Sequence, residues 1–254
     1  MFVQWTPLVG FFVGFLLVLF LIRWNTRHMQ GIMFLLGADE EVIMYLQFVL
    51  FFPGILIHEI AHWVTAQLLG VRTLGFSIWP HKKQKGKIQY GAVRIAQVDV
   101  FRASLIGLAP LVAGSLLIIL VGRNALGTEA LRQVVVAGNW EGFWDALLQS
   151  ARAPDFWLWM YLIFSISNTM FPSESDREAW KPLLIYGLVA GALVYFAGWK
   201  PTAESVQSAL AQIMNPLIYA FGITAFVDIV FAVVIGVAEI LIGRFRGKRV
   251  DYRR

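Results

Sequence analysis

The sequence predicts an all-α polytopic membrane protein, with about six transmembrane helices and a small membrane-associated β-hairpin, from three observations. Hydrophobic residues make up 58% of the 254 positions and aromatic residues 15%, a balance foreign to soluble domains. Apolar runs of membrane-crossing length recur from end to end. Between the second and third of them, two short β-branched and aromatic segments flank the basic stretch HKKQKGK, the pattern of a hairpin.

The first span is expected over Pro7 to Ile22, bordered by Trp5 and Trp24, where aromatic rings favour the membrane interface. It lacks the basic start and small-residue cleavage site of a signal peptide, so it is expected to be retained. The second runs from about Val42 to Gly70, after a turn carrying Asp39, Glu40 and Glu41. Pro53 removes one backbone hydrogen bond inside it. That break can serve as a packing kink or as an opening for water, and both readings follow equally.

Leu74 to Pro80 and Ile88 to Ala96 are the expected strands, too apolar for a plain connector, forming a small sheet at the membrane surface. Phe101 to Val121 is the third span, with Ala103, Gly107, Pro110 and Gly114 near one face, where small residues admit a close partner helix. The metal-bearing helix described below is the partner expected. Thr128 to Ala153 reads as an interfacial helix whose apolar face holds Trp140, Phe143, Trp144, Leu147 and Leu148, capped by Asn139.

Phe156 to Phe171 and Pro182 to Trp199 are the fourth and fifth spans, Pro201 to Met214 a surface helix and Pro216 to Gly243 the sixth span. The last carries Asp228 and Glu239, and the tail RFRGKRVDYRR is a basic anchor that Glu239 can meet. No internal repeat or low-complexity linker interrupts the chain.

The net charge of +5 does not point to nucleic acid, because the basic residues border apolar spans, as membrane orientation requires. With the hairpin inside, Arg72, Lys82, Lys83, Lys85, Lys87, Arg94, Arg102, Arg177, Lys181 and the six basic residues of the tail are cytoplasmic, 15 of 21. Six spans then put both termini in the cytoplasm, and a plasma (inner) membrane is the expected location. The absence of cysteine excludes thiolate ligands, thiol nucleophiles and disulfides.

Chemistry concentrates in Phe52 to Leu69, FPGILIHEIAHWVTAQLL. His58 and His62 fall one helical turn apart on one face, so both imidazoles can reach one metal ion. Glu59 stands beside them, about 100° round. A five-position H-E-x-x-H pattern means little on a solvated helix, but Leu56, Ile57, Ile60, Ala61, Trp63 and Val64 leave no solvated face here. Ionisable groups at membrane depth are costly and usually functional. Two imidazoles leave Zn²⁺ two positions short of tetrahedral, so one further ligand and a water complete a catalytic site, with Glu59 as base.

For the third ligand Asp176 is the more attractive candidate, in a Ser-rich break after Pro172, with Glu174 a competitor two residues away. Irregular backbone at membrane depth lines cavities or is buried in protein. Asp228, alone and mid-span, reads more readily as a hydrogen-bonded packing or proton-handling group.

His58, Glu59 and His62 in a membrane helix, then a hairpin, then a small-residue helix with Gly107-Leu108-Ala109-Pro110, then Asn168 eight residues before Asp176, resemble the site-2 protease family of intramembrane zinc metalloproteases. The resemblance covers residues 42 to 181 as a metalloprotease core, with 1 to 41 an N-terminal span and loop and 182 to 254 the C-terminal spans and tail. It implies that Asp176 is the third zinc ligand, that Asn168 holds the substrate carbonyl or its oxyanion, and that the substrate is a transmembrane protein or peptide. The motif departs from the family's: Pro172 follows Asn168 by four residues instead of three, Glu174-Ser175 replaces Pro-Leu, and Arg177 replaces Gly. An exposed edge of Leu74 to Trp79 is expected to pair with an unwound substrate. Two other functions stay open, a non-catalytic metal-binding relative that holds membrane segments and an ion-coupled transporter using Asp228 and Glu239.

Overall fold

A computed structural model describes residues 6–82, 88–178, 180–198, 200 and 202–252. Among them are eight helices and one two-stranded antiparallel sheet: α1 (Thr6–Leu35), α2 (Glu40–Leu68), β1 (Thr73–Lys82), β2 (Ile88–Ile95), α3 (Val100–Asn124), α4 (Thr128–Val136), α5 (Trp140–Ala151), α6 (Phe156–Thr169), α7 (Trp180–Phe196) and α8 (Ala203–Arg246). The expected interfacial ring Trp5, the expected end of the fifth span at Trp199, the hairpin tip Lys83 to Lys87 and the tail residues Arg253 and Arg254 lie outside the described residues.

Among the described residues four helices, α1, α2, α3 and α8, are long and apolar enough to cross a membrane, which corrects the expected six. The fourth expected span is α6, only 14 residues long, against roughly 20 for a crossing. Left-handed Asp155 precedes it and Pro172 follows it closely. It has no need to face lipid along its length, because Met160 and Ile163 to Ser167 are buried by its neighbours. The fifth, α7, has 17 residues and buries none of them.

Other boundaries move for reasons of partnership. Helix α1 continues past Ile22 to Leu35 because its polar second half finds partners on α8: Asn25 Nδ2 donates to the Asp228 carbonyl at 3.1 Å, and His28 Nδ1 meets Glu239 Oε2. The expected surface helix and sixth span fuse into one 44-residue α8, with Pro216 inside it. The expected interfacial helix splits into α4 and α5 at Gly138, whose φ is 66°, and Asn139 caps α5 by accepting from the Gly142 N–H at 3.0 Å.

Helix α2 starts where the turn chemistry places it, with Asp39 accepting from the N–H groups of Glu41 and Val42. It passes through Pro53 without restarting. The Gly54 N–H donates to Ser165 Oγ at 3.0 Å, and the Leu50 carbonyl accepts from the Tyr161 hydroxyl at 2.8 Å. Side chains of α6 therefore meet backbone groups on both sides of the proline. A Cβ at Gly54 would overlap the Ser165 carbonyl, so this glycine sets the close approach of α2 to α6. The core continues outward through Phe51, Phe164 and Phe231, the last two rings stacked 4.1 Å apart.

Candidate metal centre

The second half of α2, the start of α3, the end of α6 and strand β2 converge on a cavity of about 810 Å³. His58, Glu59 and His62 enter from α2, Gly107 from α3, Asn168 from α6 and Asp176 from the loop beyond it. Nothing in the local pattern of any one element reveals that convergence.

His58, His62 and Asp176 each offer a ligand atom within 4.8 Å of the others. His62 Nε2 is 3.1 Å from His58 Nε2 and 3.4 Å from Asp176 Oδ1, and His58 Nε2 is 3.9 Å from Asp176 Oδ2. Zinc bonds of roughly 2.0 to 2.1 Å in a tetrahedral site put ligand atoms about 3.3 Å apart, so the grouping is close to the size required.

The outer contacts decide which nitrogens face inward. His58 Nδ1 lies 2.7 Å from the Thr169 carbonyl, and His62 Nδ1 lies 2.8 Å from the Ile106 carbonyl. Carbonyls only accept, so each Nδ1 carries a proton, and in the neutral ring each Nε2 presents a lone pair. Two lone pairs and a carboxylate thus converge with no donor among them, and a cation answers that arrangement. The donor set fits a metal ion.

Asp176 is held from outside the membrane-spanning helices. Its Oδ2 accepts from the Ser173 N–H at 2.7 Å, and its own N–H donates to Ser173 Oγ at 3.4 Å. Burial opposes ionisation of this carboxyl, but a proton on His62 Nε2, which answers the grouping in place of a metal ion, and the donors of Ser173 outweigh it and hold Asp176 well below the usual carboxylate range. The Asp176 carbonyl lies so near α3 that a Cβ at Gly107 would overlap it. The small-residue face of α3 therefore serves the ligand loop at Gly107 and α6 at Gly114, where a Cβ would come within 2.7 Å of Met170, as well as α2. Glu174 lines the cavity without joining the ligand grouping, and Asp228 stands apart on α8.

Glu59 is buried, at 4% exposure, on the same cavity. Gly91 of β2 covers it: with φ at 78°, a Cβ there would come within 2.6 Å of Glu59 Oε1. A glycine inside a strand pattern is the signal for such a close approach, and it passed unused in the sequence. The strand lining the cavity is β2, through Tyr90 to Val93 and Ile95, and not the Leu74 to Trp79 segment on which the sequence places the expected pairing edge. Strand β1 carries bulk instead, with Trp79 against Phe48 at 5.7 Å. Tyr90 anchors β2 by donating to Gln47 Oε1 at 2.9 Å.

Asn168 reaches the cavity wall, but its Nδ2 is turned to the Phe164 carbonyl at 2.8 Å and to Ser167 Oγ and Asp228 Oδ1 at 3.3 Å each. Both of its amide protons are thereby engaged, which differs from the oxyanion donor that the resemblance implies. Glu239, further along α8, accepts from Tyr252 Oη at 2.6 Å and meets His28, so among the described residues the tail reaches it through a tyrosine. Comparison of the chain with protein-family models, with curated proteins and with solved structures finds no match.

Proposed function

We propose that this protein is an intramembrane zinc metallopeptidase that hydrolyses peptide bonds in or near transmembrane segments. The observation that carries the proposal is the convergence, in a half-buried cavity, of the Nε2 atoms of His58 and His62 and the Asp176 carboxylate beside Glu59. His58, His62 and Asp176 would hold the zinc, which when bound supplies a Lewis acid and a water acidic enough to react near neutral pH. Glu59, which metal binding alone does not need, takes the proton of the attacking water and passes it to the leaving amine.

A helical substrate has every backbone group paired internally, so cleavage requires a turn to be unwound, at several kcal/mol for each group left unpaired in hydrocarbon. The backbone of β2 beside Gly91 lies along the cavity and offers an extended partner for those groups. Glu59 then stands under the paired segment, next to the ligands.

The test is metal analysis beside cleavage of a transmembrane peptide by the purified protein. Zinc in the protein, lost in His58→Ala and Asp176→Ala but kept in Glu59→Gln while cleavage disappears, supports the proposal. Equal peptide binding with no cleavage by the zinc-loaded protein supports instead a non-catalytic binder of membrane segments. Proton flux that depends on Asp228 and Glu239 supports a transporter.

A further inference from the structure

A second cavity, of about 690 Å³, shares no lining residue with the metal centre. It lies where the short helices α4 and α5 meet α6 and the middle of α8. Its wall is mostly apolar, with Leu131 and Val135 from α4, Phe143 and Leu147 from α5, Met160 from α6 and Phe226 from α8. Gly222 deepens it: a Cβ there would meet no atom within 4 Å, although Phe221 and Ile223 on either side are buried. The size falls among cavities that hold a small organic molecule, roughly 300 to 1,000 Å³.

Of the described residues that line it, Arg132 alone is charged. The metal-centre cavity has the opposite character, with Glu59, Glu174, Asp176 and Glu178 on its wall. Thr128 and Arg132 fall one turn apart on the same face of α4. Thr128 Oγ1 and Tyr219 Oη of α8 share a hydrogen bond of 2.7 Å, which uses one of their two protons and leaves the other to donate. Arg132 Nε donates to Glu129 Oε1 at 2.9 Å, and Arg123 Nη2 lies 3.4 Å from Glu129 Oε2. Two guanidinium groups thus share one carboxylate, so this cluster carries a surplus positive charge at the cavity rim. Glu129 takes Nε and Nη2 of Arg132 and leaves its Nη1 edge to another acceptor.

The elements fix the depth. Arg123 stands in the last turn of α3, a helix long enough to cross the membrane, and Leu126, three residues on, already lines the cavity. Trp140 and Trp144 of α5 are exposed, as rings at a membrane interface are. The rim therefore lies at headgroup level, with the apolar wall beside the acyl chains.

We propose that this cavity binds one anionic phospholipid, with an acyl chain along the apolar wall past Gly222 and the phosphate held by Arg132 and the Thr128–Tyr219 hydroxyl pair. Guanidinium and hydroxyl donors together suit a phosphate. A protein helix seated here would bring apolar side chains but no anion for those donors. The inference does not depend on the peptidase reading.

The experiment uses the full-length protein in phosphatidylcholine nanodiscs containing a small fraction of phosphatidylglycerol with a diazirine in its acyl chain. Cross-links mapped by peptide mass spectrometry should concentrate on α4, α5 and the Ile218 to Phe226 stretch of α8. Gly222→Leu, which puts a side chain into the cavity, should lower that labelling about tenfold while labelling of α7 stays the same. A diazirine phosphatidylcholine should label the cavity about fivefold less than the phosphatidylglycerol, and Arg132→Gln should abolish that preference. Thermal melting followed by circular dichroism reports whether each variant is folded. If Gly222→Leu is not, the exposed Arg132 carries the test with the two probes. Labelling spread evenly over the lipid-facing helices, labelling unmoved by Gly222→Leu in a folded protein, or equal labelling by both probes would overturn the inference. So would a photoreactive amino acid at Leu147 that captures a polypeptide in place of the lipid.

Discussion

In the proposed peptidase Glu59 and Asp176 divide the chemistry of the site, and replacing each should separate metal loading from turnover. Glu59→Gln keeps the side chain's size under Gly91 but removes the base, so peptide cleavage should fall by roughly 10² to 10⁴-fold with zinc content unchanged. Asp176→Ala should release zinc as His62→Ala does, while Asp228→Ala retains it, since Asp228 contacts Ser167 and Asn168 and none of the three ligand residues. Zinc lost on Glu174→Ala and kept on Asp176→Ala would reverse the assignment. Gly91→Val tests the cover over Glu59: its side chain must displace either the carboxylate or the strand, and the left-handed φ adds strain. Cleavage should drop at least tenfold while the zinc stays.

Helices and strands act on the site through close approaches that glycine permits. Gly107→Ala places a methyl group where the Asp176 carbonyl lies, so the ligand loop must retreat and zinc affinity should fall about 10 to 100-fold, the range seen when the support of a ligand is removed. Competition with a fluorescent chelator measures this directly, and an unchanged affinity would mean that the loop is not held by α3. Gly54→Ala sets a methyl against the α6 backbone and should destabilise the fold by about 1 to 3 kcal/mol. Pro53 shows why its effect could not be read in advance. A proline certainly deprives a helix of a hydrogen bond, but Ser165 and Tyr161 supply partners on both sides of it, and they come from a helix more than a hundred residues later.

For the whole molecule, orientation in the bilayer follows from charge. The expected cytoplasmic side holds the hairpin tip, and since the chain has no cysteine, a single Lys85→Cys gives an unambiguous reporter. It should resist an impermeant thiol reagent added outside intact cells, whereas Gln133→Cys on α4, at the other end of α3, should react. Ready labelling at position 85 would invert the arrangement. The ends of α1 and α8 are joined by a polar clasp, in which Trp24 stacks on His28, Glu239 bonds both His28 and Tyr252, and Arg27 reaches the Tyr252 carbonyl. A Cβ at Gly31 would overlap the Tyr252 hydroxyl. Gly31→Ala should therefore free the tail, and limited proteolysis after Gly247 should become faster.

By itself the sequence determined a helical membrane protein, the H-E-x-x-H helix, the hairpin, the turn at Asp39, the cap at Asn139 and the nomination of Asp176, because each depends on local periodicity, hydropathy or turn chemistry. Hydropathy overcounted the spans because an apolar helix buried in protein, such as α6, has the same composition as one facing lipid. Only the tertiary structure decided that β2 and not β1 lines the cavity, that Thr169 and Ile106 orient the two histidine rings, and that Asp228 accepts from the amide of Asn168. Those are contacts between residues 44 to 111 positions apart, made by carbonyl groups that every residue possesses and by a carboxylate whose partner lies on another helix. No pattern within a single element carries them, because packing sets which elements meet.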